Sequence, residues 1–277
     1  MARLFGLIGN RADLGGRVLA HEADALRVRS TAAASPGWGI GLYQGGEVLM
    51  RRRPMDDRAE IDIAKVAGDV RADLLIGHVR SATVGSLRTE NTHPFRYRQW
   101  LYAQTGTVTQ FEGMRERLIA SVPEFLRSGI RGETDAEVLF HVFLSFLHDR
   151  NRLTEALVEH GAIRDALRAS LAVVDGMSAE LGAAPGALNI LVSNGDALVA
   201  VHRSASMRYR VFQGREDADA LIGDDAPRAR RPAELGRMRF VLLASDFDDA
   251  PPARWREVPD NAVVTLTRDA EPSVEAL

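Results

Sequence analysis

The groups able to do chemistry in this 277-residue chain are seven histidines, scattered serines and threonines, and acidic and basic residues; cysteine is absent. That absence excludes disulfides, thiolate metal ligands and a thiol nucleophile. His141 and His148 lie seven apart on one helical face, but two turns separate them, too far to hold one ion without further ligands. No His-x-x-x-His or His-Glu-x-x-His spacing occurs, so neither a metal nor a cofactor is expected. Ser30, Thr31 and Ser35 precede Trp38, and Ser81 follows Arg80. None sits in a Gly-x-Ser-x-Gly elbow or has a histidine base at a diagnostic spacing, which argues against a hydroxyl nucleophile. The run Gly37-Trp38-Gly39-Ile40-Gly41 has the glycine content of a phosphate loop without its lysine or its following helix. It reads as a strand along which backbones approach closely.

These groups need a frame, and the hydrophobic pattern supplies one. Hydrophobic residues make up 45% of the chain and charged ones 26%, enough for a sizeable core and incompatible with disorder throughout. Apolar runs of strand length fall in two blocks. The first holds Leu4–Ile8, Trp38–Tyr43, Glu47–Arg51, Leu74–Val79 and Trp100–Ala103; the second holds Leu188–Ser193, Ala197–His202, Tyr209–Phe212, Phe240–Ala244 and Ala262–Thr267. Gln44-Gly45-Gly46 is a turn signal, and Asn194-Gly195 between two β-rich runs is a strong hairpin signal. Between the blocks, Thr134–Asp149 carries Val138, Leu139, Val142, Phe143 and Phe146 at helical spacing. Thr134 with Glu137 three residues on makes a capping box. A second helix is expected over about Leu153–Val174, shorter ones over Ile61–Val70 and Phe111–Leu126, and a loop over Gly214–Gly236. Strands, helices, then strands, with no linker or shift of composition, predict a single domain over residues 1–277.

Thirty-five basic residues against 38 acidic ones give a net charge of −3, without the basic excess of nucleic-acid binders. No run approaches the roughly 18–20 apolar residues of a membrane span. Met1–Gly9 has too short an apolar stretch for a signal peptide. The expectation is a cytoplasmic protein without nucleic-acid or membrane partners. The same segment reads as a buried strand that begins at the first residues. Two readings of it stay open: the first strand of a sheet, or a terminus that itself sits in a site.

Short motifs bear on the choice. Arg3-Leu4-Phe5-Gly6-Leu7-Ile8-Gly9-Asn10 is followed by Gly37–Gly41, then by Gly77-His78-Val79-Arg80-Ser81-Ala82-Thr83-Val84-Gly85, then by Glu90-Asn91-Thr92-His93-Pro94-Phe95. Gly106-Thr107-Val108 and Glu133-Thr134-Asp135-Ala136-Glu137 come next, and Leu243-Ala244-Ser245-Asp246 with Trp255–Pro259 close the series. In this order they resemble the class II glutamine amidotransferases, most closely the branch that includes the ergothioneine-pathway γ-glutamyl hydrolases. The resemblance covers nearly the whole chain. It implies an α+β fold of the N-terminal-nucleophile type, a four-layer αββα sandwich of two antiparallel sheets between helices. It favours the reading in which the terminus sits in a site.

Enzymes of this family hydrolyse the amide at the end of a glutamine-like side chain. Their nucleophile is a cysteine directly after the initiator Met, and its freed α-amino group serves as the base. Here that position is Ala2, and a methyl group cannot attack a carbonyl. The family's His-Asn-Gly oxyanion segment corresponds to Gln104-Thr105-Gly106. Gly106 keeps a backbone donor, but Thr105 lacks the carboxamide, and losing one such donor costs about 10²–10³ in rate. Pro36 stands where the branch usually has aspartate. The resemblance also implies what persists: Arg80 and Thr83 for the substrate's α-carboxylate, and Asp135 for its α-ammonium. Against this, Arg80 and Asp135 could pair with each other, or serve a strand end and a helix start, where an acid is favourable for dipole reasons alone. His78 and His93, inside the motifs, read as hydrogen-bonded structural residues.

Three functions stay open. The leading one is a catalytically degenerate protein of this family that binds glutamine or a γ-glutamyl compound, or serves as a subunit for a protein partner or a second copy of itself. The second is an active glutamine amidotransferase or γ-glutamyl hydrolase whose cysteine was deliberately changed to alanine. The third is a structural or interaction protein without a small ligand. A deliberate change explains only Ala2 and leaves Gln104, Thr105 and Pro36 unaccounted for, so natural degeneracy leads.

Overall fold

The computed structural model describes residues 2–29, 37–55, 60–62, 65, 70–80, 86–203, 206–223, 233–247 and 254–277, with side chains for all of these but 29, 60, 80 and 233. The first block of sequence gives β1 (Arg3–Gly9), β2 (Val28–Arg29), β3 (Gly37–Gln44), β4 (Glu47–Arg53), β5 (Glu60–Ile61), β6 (Leu74–Arg80), β7 (Phe95–Tyr97) and β8 (Trp100–Gly106). The second gives β9 (Leu188–Ser193), β10 (Leu198–Arg203), β11 (Met207–Gln213), β12 (Arg239–Ser245), β13 (Arg256–Glu257), β14 (Ala262–Leu266) and β15 (Ser273–Ala276). Helices α1 (Gly15–His21) and α2 (Ala23–Leu26) follow β1, and α3 (Phe111–Ser121), α4 (Glu124–Arg127), α5 (Asp135–Asp149) and α6 (His160–Glu180) separate the blocks. Helix α7 (Gly214–Ile222) follows β11.

Among the described residues the strands form a seven-stranded sheet in the order β13-β11-β12-β1-β6-β3-β4 and a six-stranded sheet in the order β15-β14-β10-β9-β8-β7, with β2 and β5 as a separate pair. Neighbours run antiparallel. The period-2 alternation of apolar residues builds the layers. Along β1, Leu4 and Ile8 join Leu101, Leu191 and Leu198 between the two sheets. Phe5 and Leu7 face the other way, onto Val18 of α1 and Leu221 of α7. On the second sheet, Trp100 and Tyr102 point outward to α5, where Trp100 meets Phe143 edge-on at 5.6 Å and Tyr102 stacks on Phe140 at 5.2 Å. Helix α5 is buried almost all round because α3 and α6 cover its outer side. The order helix, sheet, sheet, helix is the expected sandwich.

The glycine-rich run is strand β3, and it is closely approached. A Cβ on Gly39 would stand 2.1 Å from the His93 carbonyl oxygen. Three expectations differ. The second long helix runs His160–Glu180 and starts later than Leu153, because the Leu153 carbonyl instead accepts the Trp100 indole N–H at 3.0 Å. The helix expected over Phe111–Leu126 breaks at Val122, which adopts extended geometry before Pro123. The expected loop from Gly214 begins with α7, whose Ala218 and Leu221 are buried, while 224–232 lie outside the described residues. The expected helix over Ile61–Val70 lies mostly outside them too, and Ile61 pairs with Val28. Among the described residues no helix is long and apolar enough to cross a membrane.

Candidate active site

The start of β1 fixes one corner of the site. Arg3 pairs with Val79, so one step further along the same antiparallel register sets Ala2 opposite Arg80 at the end of β6. Gly37 of β3 flanks Arg80 on its other side. Alternation from Leu4 sends half-buried Ala2 toward the space between the sheets. Arg3, fully buried, faces away from it: its guanidinium donates to the Ala25 carbonyl at 2.6 Å and to the Arg27 carbonyl at 3.3 Å, and lies 5.0 Å from the Phe247 ring centre.

The end of β8 fixes the opposite corner, and here alternation separates two neighbours. Thr105 follows the inward parity of Leu101 and Ala103 and crosses to the first sheet, where its Oγ1 donates to Asp246 Oδ2 at 2.9 Å. Asp246 directly follows β12, has φ +56 and donates its backbone N–H to the Ser206 carbonyl at 2.9 Å. Extending the β1–β12 register from Phe5↔Ala244 sets Asp246 beside Arg3. Ser245 Oγ also donates to Asp246 Oδ2, and Asn189 adds a side-chain bond. Burial pushes this carboxyl above the usual range; the Ser245, Thr105 and Asn189 hydrogen bonds and the Arg3 charge oppose the shift. Gly106 needs to be glycine twice over. Its φ is +88, and a Cβ would stand 1.9 Å from the Ala187 carbonyl oxygen.

Gln104 points to the other face, toward α5. Its Oε1 accepts from the Tyr102 hydroxyl at 2.8 Å and its Nε2 donates to Asp135 Oδ2 at 3.4 Å. The same Asp135 oxygen accepts the Val108 N–H at 2.7 Å. Asp135 is 5% exposed, and burial holds its carboxyl above the usual range, opposed by the N–H groups of Val108, Ala136 and Asp135 itself and by Gln104. The helix start that carries Asp135 is tied down in turn. Thr134 Oγ1 accepts the Glu137 N–H at 3.3 Å, which is half of a capping box. The Glu137 carboxylate, instead of returning to Thr134, accepts the N–H groups of Arg131 at 3.0 Å and Gly132 at 2.6 Å. Asn91 Oδ1 accepts the Glu133 N–H at 2.9 Å, which joins two motifs 42 residues apart in sequence.

Ala2, the Arg80 backbone, Thr105 and Asp246 thus meet at one end of the sandwich, and Asp135 is bonded into the same strand end through Gln104 and Val108. The Arg80 side chain, Thr83 and Pro36 lie outside the described residues. His78 and His93 are buried with ring centres 4.4 Å apart, and His93 also meets Phe95 edge-on. Asp246 carries no mark of a site residue in the sequence beyond its place in the closing motif. It lies 141 positions from Thr105, and no spacing rule connects the two.

A family model for class II glutamine amidotransferases matches residues 1–234. The chain is 26% identical over 277 residues to the gamma-glutamyl-hercynylcysteine sulfoxide hydrolase of Mycobacterium tuberculosis strain H37Rv, covering 97% of this chain and 94% of that one. It is 23% identical over 247 residues to a probable glutamine amidotransferase of Saccharomyces cerevisiae, covering 84% of this chain and 69% of the relative. A predicted glutamine amidotransferase from Pseudomonas aeruginosa superposes with a TM-score of 0.58 at 18% identity, over 99% of this chain and all (100%) of that chain. A class-II domain protein from Silicibacter pomeroyi gives 0.57 at 19%, over 99% and 98%. These likenesses give the fold, the N-terminal-nucleophile sandwich.

Proposed function

This chain belongs to the class II glutamine amidotransferases, and from that premise we propose that it is a catalytically degenerate member that binds glutamine or a γ-glutamyl compound without hydrolysing it. The observation that carries the reading is Ala2 at the start of β1, in register with Arg80, where the family reaction needs a thiol. A second supports it. A threonine hydroxyl has one proton, and that of Thr105 goes to Asp246, so it is not offered to an oxyanion.

What remains is a binding end. Asp135, held on the Val108 N–H, presents an acid suited to an α-ammonium group, and Arg80 with Thr83 complements the α-carboxylate. A few charge-assisted hydrogen bonds, offset by desolvation, support a Kd of roughly micromolar to millimolar. A glutaminase assay on the purified protein should give no ammonia above buffer, while calorimetry with millimolar glutamine gives heat that Arg80→Ala removes. Ammonia release abolished by Arg80→Ala would overturn the degenerate reading. Release that survives it marks a contaminating glutaminase.

A further inference from the structure

The polarity of the site's distal corner has a consequence for what can occupy it. In the orientation proposed above, the ligand's α-amino-acid end lies at Asp135, and its far end faces the corner between Ala2 and Thr105. Asp246 puts a carboxylate at this corner. Thr105 gives its one proton to Asp246 Oδ2, Ser245 gives its proton to the same oxygen, and Asn189 adds a third side-chain bond. Asp246 itself is only partly buried. Arg3, set beside Asp246 by the strand register, donates from its guanidinium to the Ala25 and Arg27 carbonyls. Its charge offsets that of Asp246 only in part, since burial still holds the Asp246 carboxyl above the usual range.

We infer that Asp246 and Thr105 together select the distal group of the ligand, favouring one that donates hydrogen bonds and excluding a carboxylate. The favoured class is an α-amino acid or γ-glutamyl compound ending in an ammonium or an N–H. L-Ornithine carries its ammonium at the position of the glutamine amide nitrogen. Glutamine offers that position an N–H₂ and, beside it, a carbonyl. Glutamate brings a second carboxylate against Asp246. The inference rests on the ligand-binding reading and sharpens it to a ligand chemistry.

Calorimetry with L-ornithine, L-glutamine and L-glutamate on the full-length protein tests it. The wild type should bind ornithine most tightly, glutamine next and glutamate weakest, with about 10–100-fold between the extremes, the usual worth of one charge-assisted hydrogen bond. Asp246→Asn keeps the shape and removes the charge, and should collapse that ratio to within a few-fold. Thr105→Val, which cannot accept or donate at this corner, should narrow it in a protein whose Asp246 is intact. Thermal unfolding of each variant confirms that it is folded, and the wild-type ratio stands as a test without them. Equal binding of ornithine and glutamate by the wild type, or an unchanged ratio in folded Asp246→Asn, overturns the inference while leaving ligand binding in place. Failure of all three compounds to bind the wild type overturns the ligand-binding reading and this inference with it.

Discussion

Gln104 and Thr105 are adjacent, yet they serve opposite faces of β8 and two differently built regions. On the Gln104 face, Asp135 is held by a backbone N–H and a carboxamide from the next strand end, and the helix start beneath it is pinned by Thr134, Glu137 and Asn91. On the Thr105 face, the corner depends on side-chain contacts among Thr105, Ser245, Asn189 and Asp246, with Ala2 beside them, brought together from strands of two sheets. The first region is woven into the backbone, so altering it disturbs the fold. The second is held through side chains, so single substitutions there are expected to cost less. On the reading proposed above, Ala2 and Thr105, where the family reaction needs a thiol and a carboxamide, lie on the second face, and Asp135, the acid proposed for a substrate's ammonium, lies on the first.

The largest effect expected from this contrast is on repair. Ala2→Cys alone should restore little glutaminase activity, because the thiol acts without its oxyanion partner. Thr105→Asn carries two N–H donors, one for Asp246 and one for the oxyanion, so Ala2→Cys with Thr105→Asn should exceed Ala2→Cys by about 10²–10³ in kcat. The gain should exceed the product of the single changes, since groups acting as a unit are not additive. Full activity from Ala2→Cys alone would show a working site that had merely lost its sulfur, and the contrast would fail.

Stability should separate the faces more gently. Asp135→Ala leaves the Val108 N–H and the Gln104 amide without their acceptor inside the protein, a loss of about 1–3 kcal/mol in denaturant unfolding. Thr105→Val removes one of three donors from a partly buried carboxylate and should cost about 1 kcal/mol or less. Equal losses would mean that both faces are equally structural.

The smallest effect is on pH dependence. Burial raises the Asp135 carboxyl above its ordinary 3.8, so the folded protein binds that proton more readily than the unfolded chain. Its contribution to stability is complete below 3.8 and is lost as pH rises through the raised value. On acidification through that window, the unfolding midpoint of the wild type should therefore improve relative to Asp135→Asn. A difference that stays constant across the acid range would remove burial as the controlling influence on this group.

Much of the frame was legible in the sequence because it rests on local rules. Alternating apolar residues gave the long strands of both sheets, and Thr134 with Glu137 marked the start of α5 to the residue. Errors fell where a distant partner overrides local pattern. The 153–159 stretch holds apolar residues that suit a helix, but it braces Trp100 and Gln99 of the second sheet instead. At the site, positions within motifs were readable one by one, whereas the corner made by Thr105 and Asp246 was not. It forms only when two sheets stack, and a separation of 141 positions carries no signal of it.

The central claim is that the site holds a ligand it cannot cut, and one saturation-transfer NMR experiment on glutamine with the wild-type protein addresses both parts. The account predicts transfer from protein to the glutamine protons with no glutamate accumulating over the same hours. Glutamate that grows with protein concentration and disappears in Arg80→Ala, or a complete absence of transfer, would contradict it.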